Sequence, residues 1–414
     1  MRVLWVKSGG LLPLDHGGRI RSYQLAKILA QSHAVSLFTF YPPVEEDEHD
    51  TLKEIFSRVE SVPISIPQQN SAAEYVAYAK NLFSSLPYSV TKYCQRQVSK
   101  QLRQHLLEHQ YDVVICDFLL TAGVLPWDLP GPRVLFTHNV EAQIWERQFQ
   151  VARNPIWKVA CYREFRTTEK MERKFLKRAE HVLAVSETDK EFFSRFIDPA
   201  KVFVVPTGVD IDYFRPSAEP EKPKKIVFTG SMDWLANEDG ILYFAEKVLP
   251  LIRKEIPEAT LDVVGRRPSA KLKRIAAGIP GVTVTGTVAD VRPYIGTASV
   301  YVVPLLVGGG TRIKIFEAMA MGKAVVSTSI GAEGLPVTHE ENILLADDAV
   351  GTSRQVIMLL RNPQMRAELG KSARQLVEQN YSWTSVGAQL TKLLEDVVLQ
   401  YSSSRDKNAV LNKS

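Results

Sequence analysis

Short β-branched runs alternating with helix-period segments recur from the first residues onward, and this alternation constrains the fold more than any other feature. "VLWVK", the helical stretch Ile20–Gln31, "AVSLFTF", "DVVICD", "RVLFTH", a long basic helix, "HVLAVS" and "KVFVVP" follow one another. Strand, helix and strand in succession select a parallel sheet with helices on both faces. After the Pro-rich, charged segment "PTGVDIDYFRPSAEPEKPKK" the alternation restarts with "KIVFTG", "TLDVVG", "VTVTGT", "VYVVPL", "AVVSTS" and "NILLA". The expectation is an α/β protein of two doubly wound parallel-sheet domains facing a cleft, with 1–208 as the first domain, 209–223 as a linker and 224–385 as the second. A helical pattern over 386–403, apolar at Val386, Leu390, Leu393, Leu394, Val397 and Val398, is expected to pack back toward the first domain, and 404–414 to be a disordered tail. A length of 414 residues suits two domains of ordinary size. In open α/β sheets ligands bind beyond the carboxyl ends of the strands, so the loops there are the place to look for chemistry.

Composition narrows the function classes. No apolar run reaches the roughly 18 residues of a membrane span. The start "MRVLWVKSGG" reads as a strand rather than a signal peptide, which points to a cytoplasmic protein. Three cysteines, Cys94, Cys116 and Cys161, lack metal-ligand spacing and are expected to be reduced thiols. A net charge of +5 is too modest to imply nucleic acid, and none is expected as a partner. The charge is concentrated over 147–178, where basic residues are interleaved with Trp157, Tyr162, Phe165 and Phe175. Two readings stand there: one long solvated helix whose aromatic residues pack inward, or contact with an anionic membrane surface.

The segment Val307 to Met321, "VGGGTRIKIFEAMAM", carries the most specific chemical signal. Glycines at a strand-to-helix junction leave backbone N–H groups free for oxyanions, and the helix N-terminus adds its positive dipole end. Arg312 and Lys314 fall where the dipole disfavours cations, so a bound phosphate would offset their placement. Glu317, one turn on from Lys314, suits the vicinal hydroxyls of a ribose. The segment matches neither the P-loop nor the G-x-G-x-x-G pattern. Two other motifs are weak. "DID" at Asp210 to Asp212 resembles a metal-holding pair but sits among turn formers, and "HLLEH" at His105 to His109 resembles a zinc motif with no evident third ligand. No metal is expected.

The run "GTVADVRPYIGTASVYVVPLLVGGGTRIKIFEAMAMGKAVVSTSIGAEGL" resembles the donor-binding core of glycosyltransferase family 4, retaining enzymes of the GT-B fold that use nucleotide sugars. "FTGSMDWLANEDGILYF" and "VVGRRP" are similar to the subgroup associated with bacterial exopolysaccharide assembly. The resemblance implies a hexosyltransferase acting on a nucleoside diphosphate sugar, UDP- or GDP-linked, and on a glycan or lipid-linked acceptor, with no further cofactor. Residue by residue, it implies donor contacts at Gly17 and Gly18 in "HGGRIR", and at Gly230, Ser231, Arg266, Val288, Gly309, Gly310, Thr311 and Glu317. His138 in "FTHNVEA" would reach the donor sugar. The sequence departs from the family in two places. The first glutamate of the E-x7-E motif falls at Gly309, and "GSMDWLANEDG" lacks the Arg and Lys that many relatives carry there, so Arg312 and Lys314 are expected to take over diphosphate neutralisation. Arg19 and Arg21 serve an anionic acceptor or are simply solvated. A sugar-nucleotide epimerase and a non-catalytic sugar-nucleotide-binding subunit are the alternatives.

Overall fold

The computed structural model describes residues 1–14, 17–42, 47–68, 71–152, 154–307 and 313–411, with 47–49 and 404–411 described by backbone alone. The described chain forms two compact units, one of Met1–Pro206 with Val386–Ser414 and one of Thr207–Ser385.

Unit 1 is built on seven parallel strands: β1 (Arg2–Ser8), β2 (Ala34–Tyr41), β3 (Arg58–Pro63), β4 (Val113–Asp117), β5 (Arg133–Phe136), β6 (His181–Ala184) and β7 (Val202–Val204), in the order β3-β2-β1-β4-β5-β6-β7. Its central strands are buried along almost their whole length, as a parallel sheet covered on both faces requires. Leu4, Val6, Phe38, Cys116 and Leu135 anchor one face of the core. The edge strand β3 was not legible in the sequence: "RVESVP" is polar and mostly half-buried, without the apolar run that marks its neighbours.

Unit 2 carries six parallel strands: β8 (Lys225–Thr229), β9 (Thr260–Val264), β10 (Val282–Gly286), β11 (Val300–Val303), β12 (Val325–Ser327) and β13 (Leu344–Leu345), in the order β10-β9-β8-β11-β12-β13. Each sheet has its first strand near the centre and reverses strand order there, the arrangement that opens a crevice at the carboxyl ends.

Three sequence expectations change. The basic stretch is not one helix but two, Glu141–Val151 and Pro155–Arg178, because Asn154 caps the second, accepting from the N–H groups of Ile156 and Trp157 at 2.9 and 3.1 Å, and Pro155 fills its first position. The Pro-rich segment read as a linker is packed onto unit 2. Val209 is buried and pairs with Tyr381 and Trp383 through backbone hydrogen bonds, and Glu221 is bridged to Lys323 and Arg366. The final helix, Trp383–Leu411, runs through most of the stretch expected to be disordered, which contains neither Pro nor Gly to stop it. Within unit 1 this helix meets the rest at Gly387, where an added Cβ would lie 2.5 Å from Ile28, and at Tyr401, whose hydroxyl accepts from the Gly131 N–H. Among the described residues no helix is long and apolar enough to cross a membrane.

Candidate functional site

Unit 1 gathers a buried charged cluster at the carboxyl ends of its central strands. Parallel register sets Lys7 of β1 opposite Asp117 of β4, and Asp117 opposite Phe136 of β5, two residues before His138. Trp5, two residues before Lys7, shares its face of the pleat. The Asp117 carboxylate, fully buried, accepts from Trp5 Nε1 at 2.8 Å and bonds His138 Nε2 at 2.7 Å, with Lys7 Nζ 3.6 Å away. Burial alone would raise this carboxyl, but the Lys7 ammonium and the bonded His138 outweigh it and hold it well below the usual carboxylate range. Burial lowers His138 to about 4 against the pull of Asp117, so the imidazole is neutral at pH 7. An ionised carboxylate only accepts, so Nε2 carries the proton and Nδ1 is left as the acceptor.

Phe118 locks the ring. Its side chain stacks on His138 with centroids 3.7 Å apart and planes 3° from parallel, while Lys7 Nζ lies 4.1 Å from its centre. Its backbone has φ 72°, a region costly for a bulky residue and held only where the surroundings enforce it. The helix following His138 is fixed by Glu172, a buried carboxyl group whose oxygen accepts from the Glu141 N–H at 3.0 Å and so caps Glu141–Val151 from outside. Burial and the neighbouring Glu141 raise Glu172 to about 8, and burial raises Glu141 to about 7.

Gly17 and Gly18 form the first turn of the helix Gly17–Ala30 rather than a loop ahead of it, so their N–H groups are among the free donors of that terminus. Arg21 is not solvated. It is buried against the Phe136 ring at 4.6 Å and donates to the Val205 carbonyl, while its Nε and Nη1 find no partner among the described residues.

In unit 2 the loop after β8 and the helix Ile313–Ala320 converge. Lys314 Nζ donates to Asn237 Oδ1 at 2.7 Å, lies 4.5 Å from the centre of the Phe228 ring, and occupies the space a side chain at Gly230 would need, 2.6 Å from an added Cβ. Gly265 is pressed on the same loop: its φ is +155° and an added Cβ would strike the Gly230 carbonyl. At Gly265 only glycine fits, whereas a side chain at Gly230 would displace Lys314 and Asn237. Asn237 Nδ2 donates to the Ser231 carbonyl at 2.7 Å, and Arg266 Nε donates to Ser231 Oγ at 2.8 Å. Glu317, one turn beyond Lys314, is half-buried, and its side-chain carboxyl accepts no hydrogen bond among the described residues. Burial raises it to about 7, with Lys314 acting in the opposite direction.

Unit 2 thus brings Gly230, Ser231, Arg266 and Lys314 into one network, with Glu317 beside it. Val288 packs half-buried on the neighbouring apolar cluster and makes no polar contact with that network. Gly309, Gly310, Thr311 and Arg312 lie outside the described residues. Asn237, Asp117, Trp5, Lys7 and Phe118 were missed by sequence reasoning. Asp117 had a signal, as the carboxylate ending a buried strand, whereas Asn237 inside a helical pattern had none. Of the weak motifs, Asp210 Oδ1 accepts from the N–H groups of Asp212 and Tyr213 in its own turn. His105 is engaged by Glu60 and Tyr111, and His109 by Arg58.

Residues 16–213 match the family model Glycosyltransferase Family 4, and residues 223–362 match Glycosyl transferases group 1. An uncharacterized 44.6 kDa protein in the cps region of Klebsiella pneumoniae is 22% identical over 94% of this chain and 99% of its own length. A phosphatidyl-myo-inositol mannosyltransferase of Mycolicibacterium smegmatis is 28% identical over 47% of this chain and 51% of its own, so the chain spans about half the length of that relative. Among solved structures, the sucrose-phosphate synthase of Thermosynechococcus elongatus superposes with a TM-score of 0.70 at 20% identity, covering 96% of this chain and 99% of that one. Anabaena Alr3699/HepE in complex with UDP and glucose does so with 0.66 at 15% identity, covering 95% and 99%. At these identities the structural likenesses carry the fold. One family model takes in most of unit 1, the other most of the unit 2 sheet, and the sheets are those of the superposed enzymes: the chain belongs to the family 4, group 1 glycosyltransferases of the GT-B fold.

Proposed function

We propose that the protein is a metal-independent, retaining hexosyltransferase that moves a sugar from a nucleoside diphosphate, UDP or GDP, to a glycan or lipid-linked acceptor in surface or exopolysaccharide synthesis. The observation that carries this reading is the pairing in unit 2 of the Lys314 ammonium, seated on the bare backbone of Gly230, with the Glu317 carboxylate, which accepts no hydrogen bond among the described residues. A cation over a glycine turn suits a diphosphate, and a carboxyl one helical turn away, an acceptor when ionised, suits a ribose diol. The loop after β8 has no Arg or Lys of its own between Gly230 and Gly240; Lys314 reaches it at Gly230, and Arg266 and Arg267 reach it at Ser231 and Asp233.

In the reaction the bond between the anomeric carbon and the diphosphate oxygen breaks, and the acceptor oxygen bonds to that carbon on the same face. The acceptor proton passes to the departing phosphate oxygen, so no protein nucleophile is required. Lys314 and Arg312 offset the charge that develops on the diphosphate, Glu317 holds the ribose, Gly17, Gly18, Gly309 and Gly310 offer N–H groups to oxygens, and neutral His138 accepts from a sugar hydroxyl through Nδ1. The donor classes come from proteins similar to this one: HepE was solved with UDP-glucose, and a Corynebacterium glutamicum relative is named as GDP-mannose-dependent. The cps-region relative favours a surface polysaccharide as the product. A lipid-linked acceptor brings the enzyme to an anionic membrane surface through residues 147–178, as a peripheral protein.

Thermal stabilisation by UDP, GDP, ADP, TDP and their sugars tests the reading, because a ligand that binds only the folded state raises its apparent stability. One nucleoside diphosphate should stabilise the protein, and Glu317→Ala should weaken that effect. Absence of any shift across the panel would remove the donor site.

A further inference from the structure

The helix Pro155–Arg178 carries a basic and apolar stripe most of which faces outward, with Arg163 in its middle tied back into the fold. Ile156, Val159, Arg163, Arg166, Lys170, Lys174 and Lys177 recur at three- and four-residue spacing and so share one face. The first turns of this helix project: from Gln143 to Ala160 no described residue is buried, and the hairpin packs on itself through Trp145 with Trp157 and Phe149 with Tyr162. Ile156 is 81% and Val159 70% exposed. Farther along, Arg166, Lys170, Arg173, Lys174 and Lys177 line a groove of about 600 Å³ whose one acidic residue, Glu169, is paired with Arg166 and Arg173. Among the described residues, Lys170, Lys174 and Lys177 have no acidic partner.

A second element joins the stripe. Arg163 donates to the carbonyls of Asn81, Ser84 and Leu86, which pins the 81–86 loop to the middle of the stripe, and Ser85 lines the groove. Phe83, in that loop, is 96% exposed although three hydrogen bonds hold its backbone neighbours in place. A large exposed aromatic side chain on a loop held to a basic helix is the combination that a headgroup layer rewards, with apolar groups below the phosphates and cations among them.

We infer that this stripe and the Phe83 loop dock unit 1 on an anionic bilayer, with Phe83, Ile156 and Val159 entering the headgroup layer and Lys170, Lys174 and Lys177 meeting lipid phosphates. The inference rests on the membrane part of the proposed function and changes its residues. Of the aromatic residues that drew attention in the sequence, Phe175 is buried and Phe165 half-buried, while Trp157 and Tyr162, each 49% exposed, pack on Trp145 and Phe149, so Phe83, Ile156 and Val159 are the more exposed apolar contacts.

Flotation of the full chain with vesicles of phosphatidylcholine alone, or mixed equally with phosphatidylglycerol, tests it. The mixed vesicles should retain the protein at low salt and the neutral ones should not. Lys170→Glu/Lys174→Glu/Lys177→Glu should lower partitioning by about a hundredfold or more. Phe83→Ser/Ile156→Ser should lower it by about tenfold. The control Lys247→Glu/Lys254→Glu/Lys271→Glu, of equal charge change in unit 2, should retain binding. Equal binding to neutral vesicles, no effect of either stripe variant, or an equal loss in the control would overturn the inference, as would a dimer in solution that Phe83→Ser/Ile156→Ser dissociates. Nucleoside diphosphate stabilisation of each variant is measured in parallel. Its loss throughout would sink the transferase reading while leaving the vesicle result to stand or fall alone.

Discussion

The two units hold their candidate residues in opposite states. In unit 1 the Asp117 carboxylate is fully buried and already meets three donors, and the histidine it orients is neutral and stacked on a strained phenylalanine. In unit 2 the Glu317 carboxylate is half-buried, accepts nothing among the described residues and is pushed up to about 7 by burial. A satisfied buried network fixes geometry before any ligand arrives. A half-buried carboxyl that no protein group bonds is left open to a donor from outside. The contrast separates a site built for orientation from one built for binding, and each substitution below is chosen to break one side of it.

The largest effect is expected from Asp117→Asn. The amide keeps an acceptor for Trp5 or His138 but leaves the buried Lys7 ammonium uncompensated, which costs about 3–5 kcal/mol of stability. Sugar transfer should fall about a hundredfold through misplacement of the His138 ring, with nucleotide stabilisation of the protein still present. Lys7→Met/Asp117→Asn removes both charges and should recover most of the stability without the activity. Recovery of both would make the cluster a matter of folding alone. Acid acts on the same network. The folded His138 value lies below that of the free side chain, so its contribution is complete above about pH 6.5 and is lost as the pH falls toward 4. A thermal midpoint that His138→Gln does not make less acid-sensitive would contradict this.

Next in size is Lys314→Ala. A charge-assisted hydrogen bond is worth about 1.5–3 kcal/mol, so affinity for the nucleoside diphosphate should drop by roughly tenfold to a hundredfold by calorimetry. Affinity for the nucleoside without phosphates should hold. If both fell equally, Lys314 would be supporting the loop through Asn237 rather than meeting the diphosphate.

This division explains what could be read from the chain. The strands of both sheets are legible because buried parallel strands need unbroken β-branched runs, and the carboxyl-end rule directs attention to Gly230, His138 and the helix of Lys314. The break at Asn154 is written in the sequence as a cap residue before Pro155, a signal that the basic pattern, continuous across it, does not show. The Asp117 cluster is harder: Trp5 and Asp117 are 112 residues apart, and only strand order and register bring them together. Asn237 is invisible for the same reason, since its partner Lys314 is 77 residues away.

A smaller effect sharpens the unit 2 side. Ribose hydroxyls donate to an ionised carboxylate, so binding should favour the charged form of Glu317 and lower its raised value. Nucleotide affinity should therefore increase by several-fold from pH 6 to pH 8, with proton release that shows as a dependence of the binding heat on the buffer. Glu317→Gln should bind more weakly at pH 8 and remove that difference between the two pH values. A pH profile shared by the variant would place the titrating group elsewhere.

The smallest change in stability is expected from Phe118→Gly, and it divides the orienting role from the structural one most cleanly. Glycine accepts φ 72° without penalty, which relieves about 1–3 kcal/mol of backbone strain. The same substitution deletes the ring stacked on His138 and the cation–π contact with Lys7, together worth about the same amount. The thermal midpoint should then move by only a few degrees, while transfer falls because the imidazole is free to rotate about its bond to Asp117. Phe118→Tyr keeps both the stack and the strain and should retain activity. If the glycine variant were as active as the parent, the left-handed backbone at Phe118 would be a consequence of how β4 ends, and the orientation of His138 would rest on Asp117 alone.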